Sequence, residues 1–215
     1  MEHPVFKFEL LDHQHAPFNH RYLEKIEQTL FYAQEEHLRT LAVRVDLHLS
    51  PSWLMDDTVK CQPNLSSDLL SRFICSLKAK IWSYRKNNER EMKRAHPCTL
   101  RYFWVREIDT AALPHYHFVL FVNKDLFRGL GNIKTSDTNL GNMIRQAWLS
   151  ALDLKEYDEY QSLVHFPSNG VYILDRNQPE FVETWNALVF RLSYLAKENT
   201  KVYSPRERSM GCSQK

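Results

Sequence analysis

The stretch Pro114-His115-Tyr116-His117-Phe118-Val119-Leu120-Phe121 decides how the rest of the chain is read. Side chains on a strand alternate between faces, so His115 and His117 share one face and Tyr116 takes the other. Two imidazoles side by side on a sheet are half of a metal site. A divalent cation held there would make that sheet face a Lewis acid. Just upstream, residues 99–108 read as another strand, joined to 116–123 by Asp109-Thr110-Ala111-Ala112-Leu113-Pro114. A connection this short predicts an antiparallel hairpin.

Working outward, residues 40–49 alternate cleanly. Val43, Val45, Leu47 and Leu49 take one face, and Arg44, Asp46 and His48 the other. This predicts a half-buried strand with a polar face, ended by Pro51. Helical spacing is present at 21–37 (Tyr22, Ile26, Leu30, Ala33) and at 65–94 (Leu69, Phe73, Leu77, Ile81), with Ser66, Ser67 and Asp68 as capping residues for the second. A polar loop, 124–137, leads to a helix at 138–152. A strand follows within 163–174, and Pro179 opens a last helix at 180–198. The expected division is an N-terminal arm and helix (1–38), a main domain (39–201) and a flexible tail (202–215). Within the arm, His13-Gln14-His15 reads as loop. Mostly antiparallel strands with helices on one face imply an α+β fold.

Composition narrows the function. With 43% hydrophobic and 25% charged residues, the 215-residue chain has enough apolar material for a packed core and is not a disordered segment. A net charge of +2 does not by itself announce a nucleic-acid binder, so only local clustering can. Arg85, Lys86, Arg90, Lys93 and Arg94 form such a cluster, read either as a solvated helix end or as a phosphate-contacting patch. The four cysteines form no close pair, which argues against a zinc knuckle or disulfide framework and for a reducing, cytoplasmic setting. No secretory signal, membrane-length apolar run or phosphate-binding Gly-x-x-x-x-Gly-Lys loop is visible, so neither a membrane partner nor a built-in motor is expected.

The histidine pair needs a third ligand. Arg101, Phe103, Val105 and Glu107 share a face of the preceding strand, and Glu107 lies eight residues before His115 across the hairpin. Two histidines and a carboxylate form a mixed nitrogen and oxygen set with open positions for a substrate oxygen, suited to Mg, Mn or Zn. Asp46 and His48 are rival ligands from the first strand. A bland reading also stands, in which both histidines are ordinary half-buried strand residues.

The last helix carries a core stripe of Phe181, Trp185, Leu188 and Leu192. Tyr194 lies two residues past Leu192, about 200° round the helix and off that stripe. Lys197 follows at i+3 on the same side. A phenol with an ordinary pKa of about 10 is a poor nucleophile near neutrality, but a metal on the target phosphate and a neighbouring ammonium make attack feasible. The competing reading is a surface tyrosine beside a snorkelling lysine.

Taken in order, the apolar strand Leu41–Leu49, Glu107, His115-Tyr116-His117 and Tyr194-Leu195-Ala196-Lys197 resemble the HUH endonucleases, and among them the rolling-circle replication initiators. More narrowly, the chain resembles replication proteins of filamentous phages and the prophage-encoded YagK/YfjJ-like family. The resemblance spans about residues 39–201. It implies a ferredoxin-like sheet, a divalent cation (Mg or Mn) on His115, His117 and Glu107, and Tyr194 attacking single-stranded or hairpin origin DNA, with Lys197 orienting the phosphate. It implies host helicase and polymerase as partners. Phe190 and Glu198, four residues either side of Tyr194, point to a single-tyrosine enzyme. The first strand is more charged than the family's pattern, which leaves open whether Asp46 or His48 touches the site. Arg44, Arg72, Lys78 and Arg101 are candidate DNA contacts, with Tyr102 and Trp104 as aromatic neighbours. Transposition or mobilisation by the same chemistry, and a non-catalytic nucleic-acid-binding module, are the alternatives.

Overall fold

The computed structural model describes residues 7–55, 61–108, 113–199, 201, 203–205 and 207–215. Its elements are α1 (His20–Glu36), β1 (Arg39–Leu47), α2 (Ser52–Met55), α3 (Leu69–Arg90), β2 (Arg101–Glu107), β3 (His115–Asn123), α4 (Leu140–Leu152), β4 (Val164–His165), β5 (Val171–Asp175), α5 (Phe181–Ser193) and β6 (Met210–Cys212). The fold is α+β. The sheet runs β4-β1-β3-β2-β6, with β5 also on β1, and all of its strand pairings are antiparallel. The hairpin β2–β3 sets Glu107 opposite His115 and Val105 opposite His117. Of its connection, residues 109–112 lie outside the described residues.

Helices cover both faces of the sheet, a correction to the one-sided layering expected. α3 and α4 pack on the face carrying Val43, Val45, Trp104, Tyr116 and Phe118. On the opposite face α1 and α5 close over Ala42, Phe103, Val105, Val119 and Phe121. The polar face of β1 is therefore buried, with Arg44 4% and Asp46 9% exposed. Alternation identifies the polar residues correctly. It cannot show that a second helical layer covers them.

Local chemistry explains several boundaries. Asn19 caps α1 by accepting from the Tyr22 amide at 3.1 Å, and Asn139 caps α4 by accepting from the Asn142 amide at 2.9 Å. The Asp68 carboxylate makes no cap bond to α3. It is taken up by Ser66 and Arg72 instead. The strand expected within 163–174 is β5, and the short β4 precedes it, the two separated by Pro167-Ser168-Asn169-Gly170. Pro167 has no N–H for a ladder, and Asn169 adopts a left-handed φ of 54°. The last helix stops at Ser193, not 198. A 3-10 turn, Tyr194–Ala196, tucks the buried Leu195 and Ala196 against the core.

Segments toward both ends of the described chain belong to the fold. Leu11 and Phe18 are buried, Phe18 bridges to Lys197, and the Asn19 amide donates to the Ala196 carbonyl at 2.7 Å. Met210–Cys212, expected within a flexible tail, pairs with β2 as β6. A Cβ at Gly211 would sit 2.6 Å from the Trp104 indole nitrogen, so β6 crosses that ring only because the residue is glycine.

Candidate metal centre and nucleophile

Strand parity sends Asp46, Glu107, His115 and His117 to the face that α5 covers. Glu107, His115 and His117 form a group able to hold a metal ion, each offering one ligand atom with all three within 4.8 Å of one another. Glu107 Oε2 lies 3.4 Å from His117 Nε2 and 3.8 Å from His115 Nε2. The two rings are nearly perpendicular, 4.9 Å between centroids.

Asp46 approaches His117 from the other side, its Oδ1 2.6 Å from Nδ1. Nδ1–H donating to the carboxylate leaves the Nε2 lone pair for a cation. Nε2 is buried and makes no hydrogen bond of good geometry. Together with the mixed donor set, this buried, unsatisfied nitrogen fits a divalent ion. Asp46 is therefore bonded to a member of this group and is not itself among the three residues able to hold an ion. His48 stacks on His115 at 5.8 Å, with 15° between the rings, and does not join the ligand group.

The electrostatics keep both carboxylates charged. Burial pushes the Asp46 carboxyl up, but the His117 hydrogen bond and the Arg44 guanidinium outweigh it and hold the pKa at about 2. Burial opposes ionisation of Glu107 too. Contact with His117 and the charge of Lys201 win, placing it well below the usual carboxylate range. Burial, then the neighbouring His117, pushes His115 down toward the neutral form a metal requires.

The nucleophile candidate joins this group. The Tyr194 ring lies edge-on to His117 at 5.7 Å. Lys197 Nζ donates to the Tyr194 hydroxyl at 2.6 Å and also lies 3.1 Å from Glu107 Oε2. One ammonium thus links the phenol to the candidate metal carboxylate. A cleft of about 280 Å³ opens beside Tyr194, lined by Asp12, His15, Arg44, Asp46, His117 and Arg191 among others.

The DNA-contact candidates divide. Arg44 lines the cleft, but it is buried and bound to the Phe118 carbonyl at 2.9 Å and Asp46 at 3.3 Å. Arg72 clamps Asn64 and Ala151 carbonyls, and Lys78 is exposed on α3, on the far face of the sheet. Arg101 holds Glu36 at 2.9 Å, at the opposite end of β2 from Glu107. The structure brings none of these last three to Tyr194. Tyr102 is half-buried and Trp104 is 7% exposed, within the opposite core.

Sequence reasoning missed Lys201, whose side chain is buried against Glu107 Oε1. Its signal was a second lysine four residues after Lys197. It set His15 aside as loop, whereas His15 lies in a 3-10 turn, His13–His15, and packs edge-on to Tyr194 at 4.8 Å. The Phe18–Lys197 bridge brings the arm to the site.

Fold and site define an α+β protein with a two-histidine, one-glutamate group, half-buried at His115 and buried at Glu107 and His117, beside a tyrosine at the end of a helix. The family described as the YagK/YfjJ C-terminal domain matches residues 4–213, and the chain belongs to it. It is 42% identical over 193 residues to the uncharacterized protein YagK of Escherichia coli (strain K12), covering 90% of this chain and 92% of that one. It is 35% identical over 194 residues to the uncharacterized protein YfjJ of the same organism, covering 89% and 93%. No solved structure matches the chain. Among the described residues, no helix is long and apolar enough to cross a membrane.

Proposed function

We propose that this protein is a metal-dependent, single-tyrosine DNA-nicking and strand-joining endonuclease of the HUH kind, initiating rolling-circle replication of a phage, prophage, satellite or plasmid. The observation that carries the reading is Lys197, which contacts both Tyr194 and Glu107 and so joins the nucleophile to the His115–His117 face. A packing tyrosine has no need of that link.

Glu107, His115 and His117 would hold the divalent ion, which when bound would polarise a phosphate oxygen. Asp46 fixes the His117 ring and Lys201 fixes Glu107 through its other oxygen. Tyr194 Oη bonds to phosphorus as the bond from phosphorus to the 3′ oxygen breaks. The 3′ oxygen leaves as a hydroxyl, taking up the proton the phenol released. The Lys197 ammonium stabilises negative charge as it develops on Tyr194 Oη. The phosphotyrosine keeps the energy of the broken bond, so a later hydroxyl can reverse the step and join strands.

The test is incubation with a labelled pool of single-stranded DNA of randomised sequence and Mn²⁺ or Mg²⁺, followed by a denaturing gel. Wild type forms a covalent adduct, and Tyr194→Phe forms none while still binding DNA. An adduct in the Phe variant moves the nucleophile elsewhere. No wild-type adduct with any cation favours a non-catalytic nucleic-acid-binding module.

A further inference from the structure

A second charged feature lies far from Tyr194. Where α3 ends, a cleft of about 700 Å³ is bordered by Arg39, Lys93, Arg94, Lys124 and Arg128, against Glu91 and Asp125. Five cations face two lining carboxylates, and Arg39 is also held by Asp175 at 2.9 Å, which leaves an excess of two positive charges. Both carboxylates are engaged, Glu91 by Lys93 at 2.6 Å and Asp125 by Arg39. Arg94, Lys124 and Arg128 have no carboxylate within ion-pair distance among the described residues. Arg94 and Arg128 are exposed and Lys124 half-buried. The amides of Asn87 and Asn88 and the Thr138 hydroxyl add neutral hydrogen-bonding groups.

We infer that this cleft binds the phosphate backbone of duplex DNA. Its chemistry favours duplex over single strands. Single-strand grooves pair cations with free aromatic platforms. The one aromatic ring of Phe, Tyr or Trp type on this cleft, Tyr84, is already stacked on Phe127 at 5.3 Å with 19° between the planes. Cations with amides and hydroxyls, and with no free Phe, Tyr or Trp ring beside them, suit phosphate contacts that position a duplex without reading its bases. Placement agrees. Arg39 opens β1 while Asp46 lies near its end, seven residues or about 23 Å away at about 3.3 Å per residue. Lys124 follows the last residue of β3, and His115 begins that strand. A duplex arm of about seven base pairs spans that distance. Its purpose, holding the paired arm of a hairpin whose single strand enters the Tyr194 cleft, rests on the nicking reading. The binding itself does not.

The test measures fluorescence anisotropy of a labelled 20-base-pair hairpin of arbitrary sequence, in EDTA, against salt concentration. Arg94→Ala/Lys124→Ala/Arg128→Ala is expected to bind at least about tenfold more weakly at low salt. Its log–log salt slope should be shallower by about 0.9 for each phosphate that is no longer neutralised. Unchanged affinity and slope overturn the proposal. So does an equal loss for a single-stranded oligo-dT of the same length without preference for the hairpin. If the triple variant fails a thermal-melting check, Arg94→Ala and Arg128→Ala, each at an exposed position, decide by the same slopes. The adduct assay on the same variants separates the two readings. Lost hairpin binding with no wild-type adduct leaves the cleft standing and removes the nicking function.

Discussion

His117 Nδ1 and Asp46 Oδ1 lie 2.6 Å apart across the β1–β3 pairing, where Asp46 and His117 are register partners. This contact decides the tautomer of His117 and turns Nε2 toward Glu107. Asp46→Asn keeps an oxygen in place but removes the charge that makes His117 a stronger donor. Metal affinity is expected to fall about tenfold, within the range for groups that orient a ligating histidine. Isothermal titration with Mn²⁺ reads it, and unchanged affinity would remove Asp46 from the site.

Asp46 also predicts acid sensitivity. Its pKa falls from an ordinary 3.8 to about 2 on folding. A depressed carboxylate contributes its stability in full above the unfolded value and loses it as pH drops through the folded one. The displacement corresponds to about 2 kcal/mol. Glu107 acts in the same direction. Urea unfolding of the metal-free protein should lose stability steeply between about pH 4 and pH 2, and Asp46→Asn should flatten that profile.

Lys201 is buried with Glu107, which is itself 1% exposed. Removing one partner of a buried pair strands the other charge. Lys201→Met is expected to destabilise by about 3 kcal/mol, the low end of the range for broken buried pairs, because Lys197 still reaches Glu107 Oε2. Thermal melting in EDTA measures the loss. Saturating Mn²⁺ should narrow the gap, since a cation bound only to the folded state stabilises it by mass action.

Gly211 tests whether the C-terminal strand is structural. Gly211→Val drives a branched side chain into the Trp104 ring and should detach β6 from β2. Amide exchange across Phe103–Val105 should accelerate, with a loss of about 1–3 kcal/mol in overall stability. Unaltered exchange would mean that β6 adds nothing to the sheet.

Local patterning was enough for the hairpin, the α+β class and the shared face of Glu107, His115 and His117. Strand parity and short connections are properties of neighbouring residues, so they survive without knowledge of the fold. Capping was less legible. Asp68 has the right chemistry for a helix start, yet Arg72 and Ser66 compete for its oxygens.

Which polar residues meet is a matter of packing. Nothing within β1 says that Asp46 reaches His117 rather than a cation. That follows from β1–β3 register and from α5 closing over a face that alternation marks as polar. Lys201 and His15 sit in segments without periodicity, one late in the chain and one early. They reach Glu107 and Tyr194 in the fold, where the Phe18–Lys197 bridge also joins the two segments. The elements and their inward residues can be read along the chain, because they depend on periods of two and 3.6. The assembled site cannot, because a contact between residues 94 positions apart, such as Lys201 with Glu107, leaves no local trace.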